Sequence, residues 1–380
     1  DDEIGRLFAQ SLSLTSAEQA IAKAVVSQTT LRQLAKVRGR SIGTVRNQLK
    51  RLLAKLGLNS QTGLLSLYAA FAKFHHGDIK GRREAYKRDG KRTLQVLKLS
   101  NDYTLAVDTW GDDPLKPVLY LHPLIGGTSL TEQAKTVFAK AGYRLIMPWR
   151  PNYGSTDDCG SGLEQLSVYS DYLVEVLGHY GVERCPVIAA NGAAPFGAAF
   201  ASHHPDRCSG LIISAGAIPL TVDAQLNLMS MQLKVAYYVA KHSESIFRLY
   251  LRSTMNAIEA GFEESYARHF FERSVRDQET ATSPEFRRLV VNAFSYCYLN
   301  GHDGALQDFV LNRTDWVSNY GSIGPRTHLI YGDDDSQHPP ALIKQFARQL
   351  GGASYEIAED AGSLVIYQAP ETFVQALDRI

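Results

Sequence analysis

Apolar residues recur at helical spacing from Leu14 through Ile21, Val25 and Val26. Just ahead of them, Leu14-Thr15-Ser16-Ala17-Glu18 sets a hydroxyl three residues before a glutamate, the pattern of a capped helix start. A second, short helix is predicted from about Thr30 to Val37, broken by Gly39, and a third from Ser41 to about Leu56, ended by Gly57. On the third helix Val45, Leu49, Leu52 and Leu53 make the buried stripe, which leaves Ile42, Thr44, Arg46, Asn47, Lys50 and Arg51 on the other faces. Two helices joined by a tight glycine-containing turn, the second one basic, are the arrangement that presents a helix to the major groove. The stretch from His75 to Arg92 loses apolar periodicity, carries Gly77, Gly81 and Gly90, and reads as a linker.

Beyond the linker the period changes. Leu94–Leu99 and Thr104–Trp110 read as two strands of a hairpin around the Asn101-Asp102 turn. Strands and helices then alternate: Val118–Leu121, a helix over Leu130–Ala141, Tyr143–Met147, a helix over Leu166–Tyr180, Pro186–Ala190, a helix over Pro195–His203, and Leu211–Ala215. After a long helical interruption, Thr327–Tyr331, Leu342–Leu350, Tyr355–Ala358 and Glu371–Leu377 finish the chain as strand, helix, strand and helix. This order predicts a mostly parallel sheet covered by helices on both sides. The interruption, approximately 219–312, has the size and pattern of a helical cap in which Met231, Tyr237 and Phe247 are candidate pocket residues. The expected organisation is therefore an all-α module over 1–75, a linker over 76–92, and an α/β domain over 93–380.

Charge sharpens the division. Residues 1–95 hold 18 Lys or Arg against 7 Asp or Glu, whereas the remainder holds 22 against 32, so a near-neutral total of +1 conceals a basic first quarter and an acidic rest. A basic module suits a polyanion partner, and the acidic remainder is a poor surface to lay along DNA. Cys159, Cys185, Cys208 and Cys297 are widely spaced without a CxxC pair or a short metal-ligand cluster, so reduced thiols and no metal or cofactor are expected. No apolar run reaches the roughly 18 residues a bilayer span needs, and the acidic start is unlike a signal peptide, which predicts a cytoplasmic protein without a membrane segment.

Two resemblances follow from particular residues. Leu14-Thr15, Leu34-Ala35, Arg38-Gly39-x-Ser41, Thr44-Val45-Arg46, Leu49-Lys50, Lys55-Leu56-Gly57 and Ser60-Gln61-Thr62 together resemble the LuxR-type helix-turn-helix. That resemblance implies that the helix beginning near Ser41 reads an operator, with Thr44, Arg46, Asn47, Lys50 and Arg51 at the DNA, and that Thr62–Phe71 pairs two subunits in a homodimer. Lys and Arg suit phosphates, whereas Asn47 and Thr44 are short enough for base edges. Leu121-His122-Pro123-Leu124-Ile125-Gly126-Gly127, Pro148-Trp149-Arg150-Pro151-Asn152-Tyr153-Gly154-Ser155-Thr156-Asp157 and His204-Pro205-Asp206-Arg207 resemble recurrent segments of the α/β-hydrolase superfamily, whose fold the second domain is expected to share.

That second resemblance implies a nucleophile at a strand-to-helix elbow, an acid after a later strand and a histidine after the last strand. Here the elbow position falls on Asn191, the acid on Asp335, and the histidine position on Ser363. An amide is no alkoxide, and a hydroxyl near its free pKa is no base at neutral pH, so standard acyl transfer is not expected. What the resemblance leaves is a binding site: backbone amides of Leu124 and Gly192 where the family has its oxyanion hole, with Asn191 and His122 beside them. The sequence thus suggests a regulator whose degenerate hydrolase-like domain binds a small signal bearing a carbonyl or carboxylate, with operator DNA as the other partner. A noncanonical hydrolase carrying an accessory DNA-binding module is the alternative, and a scaffold in which both domains serve assembly is a third.

Overall fold

A computed structural model of the chain describes residues 5, 8, 9, 12, 14–27, 29–58, 60, 61, 63–65, 67, 68, 93–112, 114–220, 223–257, 263–299 and 301–380. The chain divides into two compact units, Asp1–Glu84 and Ala85–Ile380. The expected linker lies outside the described residues, and so does much of the expected pairing helix over Thr62–Phe71.

The first unit is helical. Helices α1 (Ser16–Val26), α2 (Leu31–Val37) and α3 (Ile42–Lys55) begin where the sequence offers capping hydroxyls. Thr15 Oγ1 accepts from the Glu18 amide while Glu18 answers the Thr15 amide at 2.8 Å, and Thr30 and Gln33 repeat the same exchange. Ser41 caps α3 by accepting from the Thr44 amide at 3.1 Å. Ile21, Val25, Leu34, Ala35, Val45, Leu49 and Leu52 close on one another as a separate small core. A core of this size is marginal alone, and Lys55 Nζ to Glu18 Oε2 at 2.9 Å ties α3 back to the start of α1. Thr44, Arg46, Asn47, Lys50 and Arg51 all stand exposed on α3.

The second unit is built on an eight-stranded sheet in the order β1-β2-β4-β3-β5-β6-β7-β8. Its strands are β1 (Thr93–Lys98), β2 (Thr104–Trp110), β3 (Lys116–Leu121), β4 (Tyr143–Pro148), β5 (Cys185–Ala190), β6 (Cys208–Ser214), β7 (Thr327–Gly332) and β8 (Ser354–Ala358). Strand β2 runs antiparallel to both neighbours, and from β4 to β8 every pairing is parallel. Parallel strands need crossovers, which are supplied by α4 (Glu132–Lys140), α5 (Glu164–His179) and α6 (Ala194–His203). The inner strands are buried on both faces, so β5 and β6 read as near-continuous apolar runs. Strand β3 begins two residues earlier than its apolar run suggests, because Lys116 pairs with Tyr143 at the exposed end of the ladder.

Between β6 and β7 comes the cap: α7 (Met231–His242), α8 (Glu244–Ala257), α9 (Glu263–Phe270), α10 (Val275–Thr282), α11 (Pro284–Cys297) and α12 (Asp303–Leu311). Leu233, Tyr237, Phe247, Leu251, Leu306 and Phe309 give it a core of its own. Helices α13 (Pro340–Gln349), α14 (Val365–Gln368) and α15 (Pro370–Leu377) complete the chain. Among the described residues, no helix is long and apolar enough to cross a membrane.

Candidate functional site

Strand β5 ends at Ala190, and α6 begins at Ala194, which leaves three residues to reverse direction. Asn191 makes that reversal with φ +47°, a left-handed conformation that asparagine tolerates better than most side chains. The approach of α6 to the sheet is close: a Cβ on Gly197 would stand 2.6 Å from the Ala189 Cβ. This is the geometry of a nucleophile elbow, with an amide at its tip.

The Asn191 amide is committed to the backbone. Its Nδ2 donates to the Ala215 carbonyl at 3.1 Å and to the Ser363 carbonyl at 3.3 Å, bridging the end of β6 to the loop after β8. Ser363 turns its hydroxyl elsewhere, donating to Asp277 Oδ2 at 2.7 Å. The same buried carboxylate takes the amides of Ser363 and Leu364, each at 2.9 Å, and Gln368 Nε2 at 3.2 Å. Burial raises the Asp277 pKa, and these donors only partly offset it. Asp335 follows β7 as expected, but it serves a third partner. Its Oδ1 accepts from the Gln337 amide at 3.0 Å and its Oδ2 from His338 Nδ1 at 2.8 Å. The three triad positions thus occupy their customary places in the chain, but Asn191 meets Ser363 only at its backbone carbonyl, the Ser363 hydroxyl goes to Asp277, and Asp335 pairs with His338. The nucleophile and histidine positions hold residues that cannot perform those roles, and the triad is degenerate.

Asn191 and Ser363 line a cavity of about 130 Å³ between the sheet and the cap, along with Leu124, Gly192 and Tyr237. Its wall is mostly apolar, from Ile218, Leu220, Met229, Leu233, Phe270 and Phe309 among others. Three of the residues expected there stand elsewhere. His122 is buried in the wall behind: a carbonyl can only accept, so its Nδ1 donates to Pro123 O at 2.8 Å, and its Nε2 accepts from the Arg150 amide at 3.1 Å. Met231 opens α7 on its outer face and is 65 % exposed. Phe247 is wholly buried against Phe309, ring centroids 5.0 Å apart, within the cap core.

The polar part is supplied by Asp308, which lies outside the segments that resemble the superfamily, and by Arg150 and Tyr153 of the segment that follows β4. Asp308 on α12 lines the cavity and forms a two-pronged ion pair with Arg150 Nη1 and Nη2, the second contact at 2.8 Å, while Tyr153 OH donates to Asp308 Oδ2 at 2.7 Å. Burial pulls the Arg150 pKa down, but Asp308 and then Tyr153 more than reverse it, so the guanidinium stays charged. Asn312 and His338 also line the cavity. Asn312 Nδ2 donates to Tyr237 OH at 2.9 Å, and burial pushes that phenol up to about 12. Among the described residues, no cluster of three or more His, Cys, Asp or Glu could hold a metal ion.

Comparison with known proteins agrees with this geometry. A family model described as the alpha/beta hydrolase family matches residues 118–376. A curated relative, the uncharacterized hydrolase YcgS of Bacillus subtilis (strain 168), is 34% identical over 102 residues, which is 26% of this chain; the chain spans only 34% of that protein's length. Among solved structures, Cfl2 from Burkholderia cenocepacia is 14% identical with a TM-score of 0.53, the match covering 76% of this chain and 95% of that one. MGS-M2, an alpha/beta hydrolase enzyme from a Medee basin deep-sea metagenome library, is 14% identical with a TM-score of 0.52, covering 74% and 95%. A carboxylesterase structure from the thaumarchaeon Nitrososphaera gargenis is 18% identical with a TM-score of 0.51, covering 75% and 97%. At such identities the likeness is one of fold.

Proposed function

Because the chain belongs to the alpha/beta hydrolase family yet carries Asn191 and Ser363 where that fold places its nucleophile and base, we propose that its second unit binds a small, largely apolar molecule without turning it over by acyl transfer, and that the helical unit binds DNA. The single observation that carries the first half is the retained cavity behind the degenerate triad: Leu124, Gly192 and Asn191 still face it, and the cap still covers it. A site that recognises without consuming is suited to sensing, since occupancy then follows ligand concentration.

The DNA-binding half rests on the resemblance to LuxR-type modules and on the exposed row Thr44, Arg46, Asn47, Lys50 and Arg51 on a basic helix. In this reading Arg46, Lys50 and Arg51 neutralise phosphates, Asn47 and Thr44 meet base edges, and a homodimer matches a two-fold operator. Ligand regulates only if it favours one arrangement of the dimer over another. The test is a gel shift of the full chain against genomic fragments at several salt concentrations. A sequence-selective complex is expected, with Lys50→Ala weakening all fragments and lowering the salt slope by about one, and Asn47→Ala relaxing base preference. A chain that retards no fragment selectively, with or without small molecules, overturns this half.

One observation favours a second reading. Asp335 and His338 form a carboxylate–imidazole pair at the same cavity, and together with the hydrolase comparisons this supports a noncanonical hydrolase with an accessory DNA-binding module. In that case a panel of esters, lactones and amides would show linear product formation that Asp335→Ala and His338→Ala abolish.

A further inference from the structure

The charged groups around the cavity are unevenly divided between cations and anions, and the division bears on what fits. Among the described residues lining it there is no Lys or Arg. Arg150, behind the lining, spends both terminal nitrogens on Asp308, and Asp308 presents its carboxylate so close to the elbow that a Cβ on Gly192 would stand 3.1 Å from Oδ2. An anionic oxygen already occupies the neighbourhood in which this fold receives a developing oxyanion.

His338 adds an acceptor. A carboxylate can only accept, so the hydrogen bond to Asp335 Oδ2 fixes the proton of neutral His338 on Nδ1 and leaves Nε2 as a bare lone pair. Nε2 has no hydrogen-bond partner among the described residues. His338 is half-buried where it lines the cavity, whereas Asn312 is buried with its Nδ2 spent on Tyr237 and its Oδ1 unpaired but closed off from the cavity's free space. Asp308 lines the cavity, and the carboxylates of Asp335 and Asp277 stand directly behind its lining residues His338 and Ser363.

We propose that the cavity selects apolar molecules that present a hydrogen-bond donor, an alcohol or an N–H amide, to His338 Nε2, and rejects carboxylates. This rests on the ligand-binding reading above and narrows the carbonyl- or carboxylate-bearing signal suggested by the sequence. A ligand carboxylate would enter a cavity whose lining includes the Asp308 carboxylate and, among the described residues, holds no Lys or Arg, whereas an ester of the same skeleton would leave His338 Nε2 unmet.

Four probes of one chain length test it: octan-1-ol, octanamide, methyl octanoate and octanoate, titrated into the full chain at pH 8 by calorimetry, where histidine side chains are ordinarily neutral. Octan-1-ol and octanamide should bind about tenfold or more tighter than methyl octanoate and octanoate, the value of roughly one well-made hydrogen bond. His338→Phe should bring the alcohol down to the level of the ester and leave the ester unchanged. Equal binding of all four probes, or tighter binding of octanoate, overturns donor selection and leaves the ligand-binding reading standing. Failure of every probe to bind overturns both.

Discussion

Asp277 should be the residue whose loss most cleanly detaches the cap from the last loop of the sheet. It lies on α10, is 2 % exposed, and accepts from two backbone amides, the Ser363 hydroxyl and the Gln368 side chain. Asp277→Ala strips the partner from two amide groups at a site water cannot easily reach. Each such orphan costs about 1–3 kcal/mol, and the relieved burial of the carboxylate returns part of that, so a net loss of roughly 3–5 kcal/mol is expected. Ser363→Ala removes one charge-assisted bond and should cost about 2 kcal/mol. The double variant should then fall short of the sum by about 1–2 kcal/mol, because the two changes delete the same contact.

The assay is urea unfolding followed by tryptophan fluorescence. Trp110, Trp149 and Trp316 are the three tryptophans of the chain and all belong to the second unit, so the signal reports that unit alone. A pH series adds an independent reading. Since the folded pKa of Asp277 is raised, the folded state holds the proton more tightly than the unfolded one. Its contribution is then fully present below the unfolded pKa and is lost as pH rises through the folded pKa. The gap between parent and Asp277→Ala should therefore widen as pH falls from neutral through that window. An Asp277→Ala chain within 1 kcal/mol of the parent, or a gap that narrows on acidification, would refute the reasoning.

Two further outcomes are expected. Asp308→Ala leaves the Arg150 guanidinium buried without its carboxylate and should cost about 3–5 kcal/mol in the same fluorescence assay, whereas a loss under 1 kcal/mol would mean that water or another group takes its place. Asn191→Ser combined with Ser363→His should leave p-nitrophenyl acetate turnover near background, because Asp277 stands ready to hold the new imidazole and Asp335 is already engaged with His338; recovery of burst kinetics would show that the triad needs only its lost side chains.

Elements with a local signature were legible in the sequence. The helix starts at Thr15, Thr30 and Ser41 follow from side chains that reach only three residues, and the buried strands follow from apolar runs bounded by turns. The substituted triad positions were legible for the same reason, since each is tied to the end of a strand. The polar end of the cavity was not. Arg150 and Asp308 meet across 158 residues, and nothing near either position announces the other. His338 carried a weak local signal, an imidazole three residues beyond Asp335 and just ahead of Pro339. Met231 and Phe247 were chosen by helical pattern, which says that a face is apolar without saying what covers it. Of the two, one faces outward and the other fills the cap.

The side chains at the degenerate positions are suited to their present bonds. A serine at the elbow has one proton to give, whereas the Asn191 amide reaches two carbonyls from different loops, Ala215 and Ser363, and does so from a left-handed backbone that asparagine accepts at low cost. A histidine in the last loop would need its ring free to meet nucleophile and acid; Ser363 is small enough to fold its hydroxyl and amide onto a cap carboxylate. In an active hydrolase these loops converge on substrate, and part of their bonding is kept for the reaction. Here the same convergence fastens the cap to the sheet, which trades chemistry for a more firmly held cavity wall. Asp335 needs no nucleophile to be useful, since holding His338 in one tautomer at the cavity is a task it performs alone.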